Sequence, residues 1–451
     1  MLDKLHARLG DFWWYSLMLF CACRAADLLN AFVGLWLVPK YVDPSELGAV
    51  MPLTNFANFL AMPIAAFANT FRNELTRLSI NSEFGKLKTL MRGVFIATAI
   101  FLFIAIVIAH FTLPLFLERI RIVEGSLGLI IIAASFVSAI SPVYSNALQT
   151  LKKFKEYSVI NIIGAPVRLL TMLVAMPFRA LTGYFIGQAA TPAFTMAASV
   201  FVLKKELSAQ AEPYWSTVTF KKFSTILAIF FAFGSSTGLY ALVESMVLRQ
   251  RLPDLDSAGY YMATRFSEIA SYLNGALCFT IFPFTAELAK NRHNDISMLL
   301  KATVVNMAFC SILAVFFFFA GRPLLALLPH GNDYVAYWWA IPWMILIMAI
   351  HAFISLFITV RFSESRFGFM KWMIPFDLAG SALLLLITGY GYYAHLLPVT
   401  FAKFLDTHNI KTLGAMFWWL TAFLLLKAIF CIASLRTRAH IELHSRETRN
   451  P

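Results

Sequence analysis

Eight ionisable residues stand inside long apolar runs of this sequence: Arg24, Asp27, Arg168, Glu244, Arg265, Glu268, Asp377 and Lys427. Arginine's planar fork of donors suits phosphates and carboxylates. A carboxylate in apolar surroundings is instead a candidate for proton or sodium coupling. Arg24/Asp27 and Arg265/Glu268 are spaced i,i+3, so on a helix each pair shares one face. Two readings of the pairs stay open: each neutralises itself, or both line a wet cavity where the arginines meet an anion. Arg168 has no acidic residue in its own run and follows Gly164 and Pro166, which can open a kink. Asp377 follows Pro375, and Lys427 in the next run is its natural ionic partner. Glu244 lies close to Arg249 and Arg251, which predicts a salt bridge at the rim. His351 stands alone in its run and reads as a satisfied polar contact.

The elements that hold these groups must be membrane helices. The 451 residues are 59% hydrophobic and only 14% charged, against about 45–50% and 25% in average globular chains. A charge at the centre of a bilayer costs about 2.5–3.5 kcal/mol on insertion scales, so each of the eight needs a partner or water. A hydrocarbon core takes about 20 residues per helix, and twelve such runs can be marked. They are Phe12–Val38, Leu47–Thr70, Val94–Leu117, Leu127–Leu148, Val159–Phe178, Leu181–Leu203, Phe223–Leu248, Gly259–Phe284, Ala302–Leu328, Val335–Val360, Met370–Tyr392 and Leu413–Leu435. The first run is too long for a signal-peptide core and reads as a signal anchor.

The net charge of +13 has a topological explanation. Of 37 Lys and Arg, 24 fall in one set of alternate loops with their adjoining run ends (Lys371 included), nine in the other set (Arg322 included) and four deep within runs. Cytoplasmic loops collect basic residues, so both termini are expected in the cytoplasm and no nucleic-acid partner is needed. The five cysteines all lie in apolar runs without zinc or disulfide spacing and read as packing residues.

The two halves repeat at an offset of 211, where Asp43 meets Asp254, Gly48 meets Gly259, Met51 meets Met262, Ala65 meets Ala276 and Phe71 meets Phe282. Six runs per half make a parallel repeat with a cavity expected between two lobes. The expected organisation is a lobe over 1–203, a polar cytoplasmic linker over 204–222, a lobe over 223–436 and a basic tail over 437–451. Segment Leu397–Leu405 reads as interfacial. The fold class is thus an all-α polytopic membrane protein of about twelve transmembrane helices.

Enzyme signatures are missing from the sequence. HIELH in the tail has the wrong order for a zincin, and no P-loop, G-x-S-x-G or dinucleotide fingerprint stands in a suitable context. No catalytic residue, metal site or cofactor is expected, apart from possible proton or sodium coupling.

Three segments resemble a known family. YVDPSELG after the first run is similar to the Y-L-x-P-x-E-x-G turn of polysaccharide flippases, and ALQTLKKFKEYSVIN is similar to their basic loop after the fourth span. DSAGYYMATRF…SYLNGALCFTIFPFTAEL, with Pro283, resembles their eighth span. The family is the polysaccharide transporter (Wzx-type) branch of the multidrug/oligosaccharidyl-lipid/polysaccharide exporter superfamily. Twelve runs rather than fourteen argue against the related lipid II flippases. The resemblance implies alternating-access translocation of undecaprenyl-diphosphate-linked oligosaccharide across the bacterial inner membrane. Its implied partners are that glycan lipid, the bilayer, and a polysaccharide polymerase or other assembly proteins. It makes Arg24, Arg168, Arg265 and Lys427 substrate candidates and Asp27, Glu268 and Asp377 ion-coupling candidates. The runner-up is a cation-coupled multidrug exporter of the same superfamily, which would favour an acidic, aromatic cavity.

Overall fold

A computed structural model of the chain describes residues 28–80, 83–122, 127–151, 153–208, 210–214, 217–290, 296–364, 366–393 and 412–447. Each of the twelve predicted runs is helical over most of its described part, and no strand occurs among the described residues. The long helices are α1 (residues 28–41) and α2 (Val50–Leu60 with Met62–Ile80). They continue as α3 (Phe84–Arg119), α4 (Leu127–Thr150), α5 (Phe154–Ala175) and α6 (Ala180–Val202). The second half follows as α7 (Thr217–Arg251), α8 (Asp254–Lys290) and α9 (Ile296–Ala326). It ends with α10 (Ala340–Ser363), α11 (Met370–Tyr393) and α12 (Leu413–Glu447). Among the described residues eight helices are long and apolar enough to cross a membrane, and a bent pair within α2 makes a ninth. The chain is a multi-pass membrane protein built as two lobes.

Helix ends depart from the hydropathy runs. α7 begins at Thr217, inside the stretch read as linker, and α12 continues to Glu447 through the basic tail. A helix satisfies its own backbone wherever the chain goes, so it need not stop where apolar side chains do. Leu397–Leu405 lies outside the described residues.

The repeat is visible in packing. In the first half α4 packs on α2, α3 and α6, and in the second half α10 packs on α8, α9 and α12. Both third helices are followed by a left-handed residue, Arg121 (φ 62°) after α3 and His330 (φ 56°) after α9. The halves differ at their second helices. α2 is bent by 59° between Pro44–Leu60 and Met62–Ala68, whereas α8 runs unbroken. Pro52 and Pro63 each lack the N–H that would bond a turn back, close to the breaks at Gly48–Ala49 and Ala61. The repeat partners at offset 211 are Ala263 and Asn274, which donate normally.

The lobes meet along α2–α7 and along α1–α8. Asn55 Nδ2 donates to the Ala241 carbonyl (3.0 Å) and Ser245 Oγ (3.1 Å), and Met62 lies against Gly234 and Gly238. At the end carrying the short helix Pro44–Leu47, one continuous core takes residues from both lobes, from Val33 and Leu53 to Tyr261 and Phe417. At the opposite end the core divides. One cluster is built chiefly from α7–α12, another chiefly from α2–α6. There the lobes still touch through Gln149, whose amide Nε2 donates to the Phe279 carbonyl at 2.6 Å, and through Tyr157 stacked on Phe279.

Candidate functional site

Among the described residues, Arg168, Arg265, Glu268, Asp377 and Lys427 fall into two separate centres, and Glu244 stands apart from both. The first lies where α1, α5, α6 and α8 meet. Arg265 on α8 pairs with Glu268 one turn on (Nη1–Oε1, 2.6 Å), as the i,i+3 spacing predicted. Its guanidinium also lies over the Tyr261 ring, 4.8 Å from the centroid, and Nη2 reaches the Tyr184 hydroxyl at 3.5 Å. α1 makes room for it. Residues Val33–Leu37 form a π-helical turn, a distortion frequent at functional sites. A Cβ on Gly34 would sit 3.0 Å from Arg265 Cδ, so the glycine lets the arginine stem lie close against this helix. The Tyr261 hydroxyl donates to the Gly34 carbonyl at 3.3 Å, joining the two lobes.

Arg168 on α5 enters the same cluster, close enough to feel the charges of Arg265 and Glu268 and the phenols of Tyr184 and Tyr261. Its Nη1 donates to Asn30 Oδ1 at 3.1 Å. The Nε atoms of both Arg168 and Arg265 are buried without a hydrogen-bond partner. Among the described residues Arg265 pairs with Glu268 and Arg168 with the neutral Asn30, leaving an electropositive centre with unused donors. Arg24 and Asp27, predicted for the same region, lie outside the described residues.

The second centre is inside the second lobe. Lys427 on α12 pairs with Asp377 on α11 (Nζ–Oδ1, 2.6 Å), and both side chains are buried. Thr237 on α7 donates to the other carboxylate oxygen at 2.9 Å. Asp377 thus has a full set of partners, and Lys427 is a lobe-interior residue separated from the arginine cluster. Cys278, Cys310 and Cys431 are thiols within helices, as packing residues would be.

The rim salt bridge expected for Glu244 is not formed. Glu244 accepts from the Tyr260 hydroxyl at 2.7 Å. Arg249 turns away from it to Asp254 (2.8 Å) at the start of α8 and to two backbone carbonyls. Sequence proximity misleads here because the acceptors at the turn come from three other segments. Sequence reasoning also passed over Asn30, Tyr184 and Tyr261, neutral residues whose only signal is their position in apolar runs.

A groove of about 440 Å³ opens between α9, α10 and α12, lined by Trp338, Trp339, Trp343, Trp418 and Phe318. It contains none of the in-span charges and belongs to the apolar exterior.

No family model matches the chain, and no curated protein matches it in sequence. Solved structures match it over nearly the whole length. One is a mutant of the Vibrio cholerae MATE transporter VcmN (12% identity, 97% of this chain and 98% of that one, TM-score 0.63). Two others are the inward-facing and outward-facing conformations of a multidrug resistance MATE family transporter of the MOP superfamily. The inward-facing one is 12% identical, covering 95% of this chain and 96% of that one, with a TM-score of 0.61. The outward-facing one is also 12% identical, covering 96% and 97%, with a TM-score of 0.62. The fold is the two-lobe, twelve-helix fold of these transporters.

Proposed function

We propose that the chain is an alternating-access transporter of the polysaccharide-flippase type, carrying a polyprenyl-diphosphate-linked oligosaccharide across the bacterial inner membrane. The fold supports transport, since neighbours of the same fold are solved in inward- and outward-facing conformations. The observation that carries the substrate class is the pair of guanidiniums between the lobes. Arg168 and Arg265 each keep an unpartnered buried Nε, with Glu268 as the one carboxylate beside them among the described residues. A buried donor without a partner costs about 1–3 kcal/mol, and a diphosphate or acidic sugar supplies the missing acceptors. Tyr184 and Tyr261, both buried, hold Arg265 in place, the first through its hydroxyl and the second through its ring face.

In this reading Arg24, Arg168 and Arg265 hold the anionic head while the polyprenyl tail remains in lipid. Glu268, with its side chain 34% exposed, is better placed than the fully buried Asp377 to exchange a cation with water. Lys427 and Asp377 serve the lobe's internal packing. A polymerase would receive the glycan on the far side of the membrane.

The multidrug reading has one observation in its favour, the names of the structural neighbours, which describe multidrug resistance transporters. A cationic drug, however, would meet the two guanidiniums. The test is a pair of assays on purified protein in liposomes. Polyprenyl-diphosphate oligosaccharide should become accessible to an external glycosidase, while a lipophilic cationic dye should not be moved down an imposed ion gradient. Dye efflux without glycan-lipid movement would replace this reading by the other.

A further inference from the structure

Outside the central cluster, Arg249 is a heavily bonded charge at the last turns of α7. It is 3% exposed, and all three guanidinium nitrogens are engaged. Nε donates to the Ile120 carbonyl (3.2 Å) and Nη2 to the Ser45 carbonyl (2.8 Å), both in the first lobe. Nη1 donates to Asp254 (2.8 Å), in the second lobe with Arg249 itself. Asp254 is bridged in turn by Arg121 of the first lobe (Nη1–Oδ1, 3.2 Å). The two carbonyls are acceptors left over at helix ends. Ile120 caps α3, where the helix dipole is negative, and Ser45 is in the short helix Pro44–Leu47. Around them the backbones touch, since a Cβ on Gly48 would sit 2.5 Å from Ser257 Cβ.

We infer that Arg249 is a reversible clasp that holds the lobes together at the Pro44–Leu47 end and releases when that end opens. The distribution of its partners is what distinguishes a clasp from a static brace. Parting the lobes removes the Ile120 and Ser45 carbonyls, and with them the Arg121 bridge to Asp254. It leaves Arg249 and Asp254 together, five residues apart on one lobe. The charge therefore keeps a counter-ion in both arrangements, and the exposed carbonyls pass to water. Opening never requires a lone buried cation, which would cost several kcal/mol. Arg121 contributes from the exposed side, and its left-handed backbone turns the chain after α3 toward Asp254. The other end has no counterpart of this kind among its described lobe contacts, where Gln149 and the Tyr157–Phe279 stack are neutral.

This inference rests on the alternating-access reading but not on the substrate class. It is tested on the full-length protein in liposomes, with the five native cysteines replaced. Spin labels are placed at Glu118 and Leu327, exposed positions of the two lobes at the Pro44–Leu47 end. Without substrate, the short-distance population should dominate. Arg249→Ala should move the short-to-long ratio by about tenfold or more, and Arg249→Lys by less, since one ammonium cannot span both carbonyls. Arg121→Ala should have the smallest effect. An unchanged distance distribution in folded Arg249→Ala, with only a lower melting temperature, makes Arg249 a static brace and overturns the inference. Should Arg249→Ala fail to accumulate, Arg249→Lys decides: a larger long-distance population supports the clasp and an unchanged one overturns it. Since distances and not flux are read, a wrong substrate class leaves this result intact. A failed clasp likewise leaves the glycan-lipid assay intact.

Discussion

At the scale of single residues, the arginines of the central cluster give the sharpest tests. Hydrogen bonds to charged groups are worth about 1.5–3 kcal/mol, so Arg168→Ala or Arg265→Ala should each lower glycan-lipid movement by about tenfold or more. Lysine at either position should restore part of the loss, because it keeps the charge and loses the fork. Arg265 needs a control, since its loss strands Glu268. If Arg265→Ala is poorly inserted while Arg265→Ala/Glu268→Ala recovers both abundance and transport, the arginine serves only to neutralise its neighbour. The Asp377–Lys427 pair should behave differently. Removing one member of a buried ion pair costs about 3–5 kcal/mol, and replacing both with apolar residues is often harmless. Asp377→Asn should therefore lower the melting temperature sharply, while Asp377→Leu/Lys427→Met should regain it. Loss of ion-dependent transport in a fully stable double variant would return Asp377 to the coupling role.

At the scale of elements, prolines and glycines decide where helices bend and how closely they approach. A Cβ on Gly183 would lie 2.5 Å from the backbone of Ala175 and Met176, where α5 turns into α6. Gly183→Val should reduce the amount of folded protein in the membrane, with detergent-extracted yield as the measurement. The end of α6 is tied to the start of α5 by Glu206 and Lys153 (2.7 Å). Burial alone would raise the Glu206 carboxyl, but the Lys153 hydrogen bond and the charges of Lys153 and Lys205 hold it below its ordinary value. A depressed carboxyl contributes stability above its unfolded value and loses it as the pH falls through the folded one. The contribution, about 1 kcal/mol or less for a partly exposed pair, should be present at pH 7 and gone in acid. Melting curves of wild type and Glu206→Gln should differ at neutral pH and converge once the medium is acid enough to protonate the folded carboxyl.

At the scale of the whole molecule, the parallel repeat requires that both halves enter the membrane in the same sense. Reporter fusions at Glu83 and Lys155 should score cytoplasmic, and fusions at Arg121 and Asp333 should score on the opposite side. One inverted loop would break the basic-residue asymmetry and the repeat together. The lobes share one core at the Pro44–Leu47 end and keep separate cores at the other. Opening the Pro44–Leu47 end therefore divides the shared core along the α2–α7 and α1–α8 contacts, while the separate cores at the other end stay packed.

The twelve helices, the two-lobe repeat and the short list of in-span charges were legible in the sequence, because each follows from local chemistry. Twenty apolar residues can satisfy their backbone in lipid only as a helix. A rare charge there marks itself against its surroundings, and an i,i+3 spacing fixes a shared face, as Arg265 and Glu268 show. Partner choice between distant segments was not legible. Glu244 found Tyr260 rather than the nearby Arg249, and Arg168 found Asn30, 138 residues away. Arg249 was engaged by carbonyls of Ser45 and Ile120, acceptors that every residue carries and no pattern distinguishes. Which arginines meet between the lobes, and which charge closes one end of them, depends on how helices from both halves cross. That is set by glycines, prolines and packing across the whole chain, so only the tertiary structure decided it.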